Sequence, residues 1–463
     1  MAPAIPLLAG VPVAFILFGT LLLAIAFLHR HATVTALAGA VVITAFTLIS
    51  SSFAEGPGAG GLLAHAIHEW VALSNLLGLL LGFALLARHV EKSALPELLP
   101  AHLPNGALGG FLLLVGVFML SGVLDNIAAA IIGAAVARVV FRGRVHVGFL
   151  ASLVACANAG GAGSVLGDTT TTMMWIAGVG PLQVLPGYVA AAVALLVTAI
   201  PAARQQHAWS PIAGDAPAGL RLDAARLLIV AAILGLVVVS NLVVHLYFRQ
   251  QADALPFLAM ALWAGILLAA PVRRPDWAAL PQALQGAVFL LALVWCASLM
   301  PVAALPAPSW QNTLAIGTLS ALLDNIPLTA LALQQGGHDW GLLAYAVGFG
   351  GSMMWFGSSA GVAVASRHPE ARSMRKWLRH GWHVVLAYPV GFAVMLALLG
   401  WNPAQRDRQA PAVAAQHDRR EVDPGLRMQG SGVPGVAEVP AVPTVPAVPA
   451  VPTNASIRTS THK

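Results

Sequence analysis

Long apolar runs recur down the whole chain, and a helix that crosses a bilayer needs about 20 such residues. A water-soluble fold is not available as an alternative. Only 9% of the 463 residues are charged and 58% are hydrophobic, against roughly a quarter charged in an ordinary soluble domain. The chain therefore reads as an all-α polytopic membrane protein in contact with a lipid bilayer. Its net charge of +6 does not point to a nucleic-acid partner. The Lys and Arg lie in short loops between apolar runs, where the positive-inside rule puts them, and no aromatic-basic patch accompanies them. Cys156 and Cys296 stand far apart in apolar sequence, which indicates neither a disulfide framework nor a metal site. Residues 5–28 lack a positive segment before them and read as a retained first span.

Full spans are expected at about 5–28, 33–53, 70–88, 181–203, 223–247, 254–271, 284–304 and 381–400. Four further regions are apolar but interrupted. Residues 105–141 break at Ser121–Asn126 and residues 311–335 at Ser320–Asn325; both suit re-entrant hairpins. Residues 147–179 break between Asn158 and Asp168, and 341–365 between Gly350 and Ser359; both suit spans unwound midway. Backbone exposed at that depth is tolerated only where it lines a cavity or is buried in protein. With the N-terminus outside, the inside loops collect Arg30, Arg88, Lys92, Arg142, Arg144, Arg204, Arg221, Arg226, Arg273, Arg274 and the run from Arg367 to Arg379, leaving Arg249 outside before residue 400. Both termini then lie outside the inner membrane.

The interruptions are duplicated. Leu-Ser-Gly-Val-Leu-Asp125-Asn126-Ile recurs as Leu-Ser-Ala-Leu-Leu-Asp324-Asn325-Ile, and each is followed by a glycine-broken span, with Gly160, Gly161 and Gly167 in one and Gly350, Gly351 and Gly357 in the other. Paired interruptions in two halves are the best sequence-level pointer to a transporter's binding site. The expected organisation is a first repeat over 1–203, an inside linker over 204–222, and a second, inverted repeat over 223–400. Beyond it lies a Pro/Val/Ala-rich tail over 401–463 whose composition cannot build a core and reads as disordered.

Three carboxylates, Asp125, Asp168 and Asp324, fall at membrane depth, where an ionisable group costs about 2.5–3.5 kcal/mol on insertion scales. Each can cap the helix that follows it, but a neutral Ser or Asn would cap as well with less burial cost. Around them sit uncharged oxygen donors: Ser121, Asn126 and Thr169–Thr172 in the first half, Ser320, Asn325, Thr329, Ser352, Ser358 and Ser359 in the second. Hard cations take such carboxylate, amide, hydroxyl and carbonyl oxygens. Burial favours the neutral acid and a bound cation favours the ionised one, so one seat can hold a proton or a cation in turn. The second half has Ser358 where the glycine register places Asp168, which makes the site asymmetric. His65-Ala-Ile-His68-Glu69 matches neither zinc-helix pattern and reads as an interfacial segment at the outer end of a span. No nucleophile–base spacing marks an enzyme, and no cofactor or resident metal is indicated.

These motifs resemble the NhaD-type sodium/proton antiporters, in a superfamily that also holds citrate or dicarboxylate carriers and arsenite pumps. The resemblance covers about residues 60–400 and rests on 120–130, 167–175, 323–330 and 350–362. It implies inverted repeats, two opposed hairpins, a movable transport domain and a homodimer. It also implies roles in ion binding for Asp125, Asn126, Asn158, Asp168, Thr170, Thr171, Asp324, Ser352, Ser358 and Ser359. At Phe349 the chain departs from the small hydroxyl residue that the resemblance implies. The implied activity is exchange of sodium or lithium for protons by alternating access. The competing readings are a cation-coupled citrate or dicarboxylate carrier, disfavoured by acidic hairpin tips that would repel an anion, and arsenite efflux.

Overall fold

The computed structural model describes residues 6–8, 10–28, 31–95, 97–98, 103–212, 221–248 and 254–404. The tail beyond 404, residues 213–220 of the proposed 204–222 linker, Arg30 and Arg249 lie outside the described residues. Apart from a two-residue ribbon that pairs Leu7 with Pro12, the described chain is built of helices.

From the N-terminus, α1 (Val13–Phe27), α2 (Ala32–Ser50) and α3 (Gly58–Glu91) are followed by α4 (Ala107–Ser121) and α5 (Asn126–Val140), then α6 (Val147–Gly161) and α7 (Thr169–Ile176). A single turn, α8 (Pro181–Val184), leads into α9 (Gly187–Trp209). The second half runs α10 (Ala224–Tyr247), α11 (Phe257–Ala269), α12 (Leu280–Ser298), α13 (Trp310–Ser320), α14 (Asn325–Gln335), α15 (Trp340–Gly350) and α16 (Ser359–Arg367). Helices α17 (Met374–His380) and α18 (Trp382–Leu399) close it.

Among the described residues, six helices are long and apolar enough to cross a membrane: Ala32–Ser50, Gly58–Glu91, Gly187–Trp209, Ala224–Val244, Trp277–Ser298 and Trp382–Leu399. The spans expected at 5–28 and 254–271 fold instead as the shorter α1 and α11. At 1.5 Å per residue α11 covers about 20 Å, short of a core of about 30 Å. The span expected at 70–88 is longer than read, beginning at Gly58, because nothing in Gly60–Trp70 interrupts it. The span expected at 181–203 starts only at Gly187 because Pro186 precedes it, and runs on to Trp209 with Pro201 inside.

Two packing groups result. In one, α1 packs on α2, α2 and α3 on α12, and α10 on α11, which lies against α3. In the other, α9 lies at the centre against α4, α6, α15 and α18, with α5 on α16 and α13 on α15. The groups meet where α12 touches α14 and where α3 touches α5 and α7. Basic loops from both halves gather at one end. Lys92 Nζ lies 2.9 Å from Asp276 Oδ2 and Arg273 Nε 2.9 Å from Asp223 Oδ2. The rings of His146 and His380 stand edge to face at 4.8 Å. Lys92 holds the Asp276 carboxyl below the usual carboxylate range. That tie is therefore complete at neutral pH and weakens only as pH falls through the lowered value.

His65, on the first half of α3, is buried against neighbouring elements. Its Nδ1 lies 2.9 Å from Glu55 Oε2 and its Nε2 2.9 Å from Ser298 Oγ, and its ring meets Trp295 edge-on.

Candidate functional site

The same construction is built twice. Asp125 and Asp324 occupy near-identical cap conformations, with φ/ψ of −51°/139° and −54°/141°. The carboxylate of each accepts from the backbone N–H two residues on, Ile127 and Ile326, at 3.2 Å. The other oxygen accepts a hydroxyl from the matching broken helix: Thr169 Oγ1 on Asp125 and Ser359 Oγ on Asp324, both at 3.4 Å. Behind the caps, Ser121 Oγ donates to Ala157 O at 2.5 Å and Ser320 Oγ to Val347 O at 2.7 Å. Each turn is thereby pinned to the end of its broken helix.

Glycine makes this approach possible. A Cβ on Gly160 would lie 2.0 Å from the Phe118 carbonyl oxygen, and one on Gly350 2.1 Å from that of Gly317. Gly167 and Gly357 are closed in the same way, against Ser121 O at 2.1 Å and Ala321 O at 2.6 Å. Gly161 and Gly351 meet the backbone of Gly167 and Gly357 across the break.

At the centre the two halves join through side chains. Asp168, 1% exposed, caps α7 through Thr170 N and accepts Thr170 Oγ1 at 2.9 Å. Asn126 Nδ2 donates both to Asp168 Oδ1 at 3.1 Å and to Asn158 Oδ1 at 3.0 Å. Asn158 Nδ2 then crosses to the second half, donating to Ser352 Oγ at 2.9 Å and Ser358 Oγ at 3.1 Å. Ser358 caps α16 as Asp168 caps α7, with nearly the same backbone angles. Asp125 and Asp324 both lie within electrostatic reach of Asp168. Among the described residues no Lys or Arg hydrogen-bonds to any of the three acids, so the site gathers negative charge without a basic partner.

Of the residues singled out in the sequence, Asp125, Asn126, Asn158, Asp168, Thr170, Ser352, Ser358, Asp324 and Ser359 are brought into this assembly. The Thr171 hydroxyl is committed to the Ser164 and Asp168 carbonyls. The Asn325 amide makes none of the contacts of Asn126, because the residue in register with Asn158 is Gly348. Phe349 is buried and stacks on Tyr345 at 5.3 Å; its ring fills the helix core, and the short Ala159 stands in the matching place.

Two cavities flank the assembly. One, about 270 Å³, has Asp125, Ile127 and Ala128 in its wall, with Arg88, Glu91 and Arg367 also lining it. The other, about 190 Å³, is lined by Glu69 and Gln334 with Met173 and Ile176 from the end of α7. Sequence reading counted Arg88 and Arg367 only as loop charges and missed Glu91, Gln282 and Glu69 as cavity walls. Helical spacing was the available signal, since Arg88 and Glu91 share a face.

Long apolar helices around a duplicated, acid-bearing polar centre define a multi-pass helical membrane protein. No protein-family model matches the chain. It is 28% identical to sodium/proton antiporter 1 of Arabidopsis thaliana over 335 residues, which cover 64% of this chain and 57% of the relative. Against sodium/proton antiporter 2 of the same plant it is 27% identical over 287 residues, 54% of this chain and 67% of that one. The Na(+)/H(+) antiporter NhaD of Vibrio parahaemolyticus is 35% identical over 97 residues, covering 20% and 22%. These matches support the sodium/proton antiporter family that the hairpin and broken-span motifs resemble. The chain spans 57% of the length of the first relative.

Proposed function

We propose that this protein exchanges sodium, and lithium, for protons across the inner membrane by alternating access, as an NhaD-type carrier. The observation that carries the reading is the buried network that joins Asp168 through Asn126 and Asn158 to Ser352 and Ser358, with Asp125 and Asp324 capping the two matching turns and no Lys or Arg bonded to any of the three acids among the described residues. A buried carboxylate with no cationic partner is strongly disfavoured. Asp168, sealed from solvent, is stabilised either by its own proton or by a bound cation, and half-buried Asp125 and Asp324 flank it. Asn126, Asn158, Thr170, Ser352 and Ser358 supply the neutral oxygens of a hard-cation site. Proton and sodium then compete for the same carboxylates, and a carrier that reorients only when the site is occupied exchanges one for the other.

In this reading the α4–α5 and α13–α14 pairs are re-entrant hairpins of two inverted repeats. The repeats occupy 1–203 and 223–400 with an inside linker between them, and both termini lie outside. The group around α9 is the transport domain, and the group of α1–α3 and α10–α12 is the scaffold of a homodimer. The basic end is the inside, and the cavity beside Arg88 and Arg367 leads from it to Asp125. A carboxylate substrate would meet three acids instead, which counts against the citrate reading.

In everted vesicles with a pH-sensitive dye, sodium or lithium should collapse an acid-inside gradient, Asp125→Asn should remove the response, and citrate or arsenite should do nothing. Proton movement driven only by citrate or arsenite would overturn the reading. The open face is tested separately. With both native cysteines buried, Ala283→Cys in the cavity wall should react with a membrane-impermeant thiol reagent in everted vesicles and resist it in right-side-out ones. The opposite pattern would reverse the assigned orientation.

A further inference from the structure

The two halves match at nearly every position of the site, and the exceptions are paired. In register with Gly160 and Gly350, Asp168 corresponds to Ser358 and Asn158 to Gly348. Asn158 fills its position with an amide that holds Asn126, Ser352 and Ser358. Gly348 presents nothing, and the room it leaves is occupied from the other half. A Cβ built on Gly348 would stand 3.0 Å from Asp168 Oδ2, with Asn158 O at 3.8 Å as the next neighbour. Asp168 cannot retreat freely. Its Oδ1 is held by Asn126 Nδ2 and Thr170 N and its Oδ2 by Thr170 Oγ1, and the residue is sealed from solvent.

We propose that Gly348 is a specificity-determining position: by withholding a side chain opposite Asp168 it gives that carboxylate the room to stand back, which keeps the ring of oxygens around it open enough for sodium. The inference rests on the sodium/proton exchange reading and adds to it a residue that contributes no ligand atom. A methyl at 348 must push the carboxylate by a few tenths of an ångström against the Asn126 and Thr170 groups that hold it. A tighter ring of oxygens favours the smaller ion, as the shorter contacts of Mg²⁺ relative to Ca²⁺ illustrate. Lithium is the smaller of the two monovalent ions, so the crowded site should turn toward it. Gly348 thus acts as a positioning residue on Asp168, and its effect is on cation choice ahead of overall rate.

The test compares apparent KM values for sodium and lithium in everted vesicles, wild type against Gly348→Ala. The ratio of sodium KM to lithium KM should rise about tenfold or more, at the low end of what one methylene does in a fitted pocket, while the maximal lithium-driven rate is retained. An unchanged ratio with both ions still transported overturns the proposal. Wild-type vesicles that respond to neither ion would instead remove the exchange reading, and this inference with it. If Gly348→Ala does not accumulate in membranes, Asp168→Glu enters the same space from the other side. The same direction of shift is expected there, and its absence overturns the proposal.

Discussion

Asp168→Asn should abolish sodium-driven proton movement in everted vesicles while leaving the amount of folded protein near that of wild type. The substitution keeps the shape of the side chain and its capping oxygen, and Asn caps a helix about as well as Asp. Asn126 and Thr170 can keep their contacts, since the Thr170 hydroxyl can turn to accept from the new amide. What disappears is the charge at the centre of the assembly. A charge-assisted contact of roughly 3 kcal/mol corresponds to about a hundredfold in affinity. The apparent sodium KM should therefore rise by at least that factor. Asp125→Asn and Asp324→Asn lose charge from caps that sit at the edge of the network, and comparing the three ranks their parts. Sodium exchange by Asp168→Asn with an unchanged KM would show that this carboxylate holds neither the cation nor the proton.

Gly160→Ala and Gly350→Ala should each prevent the protein from assembling. The obstacle in both cases is backbone, the carbonyls of Phe118 and Gly317 at 2.0 Å and 2.1 Å from the added carbon, and backbone cannot swing aside as a flexible side chain can. The cost should reach or exceed the upper end of the about 1–3 kcal/mol typical of overpacking. Gly116→Ala on α4 is the control, because no atom lies within 4 Å of its added carbon. Membrane accumulation and a single symmetric peak in detergent measure the outcome. Normal yield and transport in Gly160→Ala would mean that hairpin and broken helix do not pack as closely as described.

Much of this site is legible in the chain itself because its constraints are local. A Leu-Asp-Asn-Ile turn is self-capping, so Asp125 and Asp324 announce both the break and the helix that follows. Paired glycines in register mark where backbones must touch. Asn158 was legible only through family resemblance, because a lone amide in an apolar helix says nothing of the residues it will meet in the other half. Gly348 shows the opposite limit. Its register with Asn158 could be read from the two motifs, but the meaning of that glycine depends on a carboxylate arriving from far away in sequence. Helix lengths were read less well than helix existence. Apolar composition continues through Gly60–Leu63, where the helix follows it, and past Ala269, where α11 has already ended between Pro256 and Pro271.

The amide of Asn158 has a mechanical consequence. It ties the first hairpin, through Asn126, to Ser352 and Ser358 beside the second, all of them away from water. Moving one hairpin tip independently would strand several buried polar atoms without partners, each costing about 1–3 kcal/mol. Displacing both tips together leaves every one of those bonds intact. On the alternating-access reading proposed above, the two tips would travel as one block, and the seams that would slip are those where α12 meets α14 and α3 meets α5 and α7.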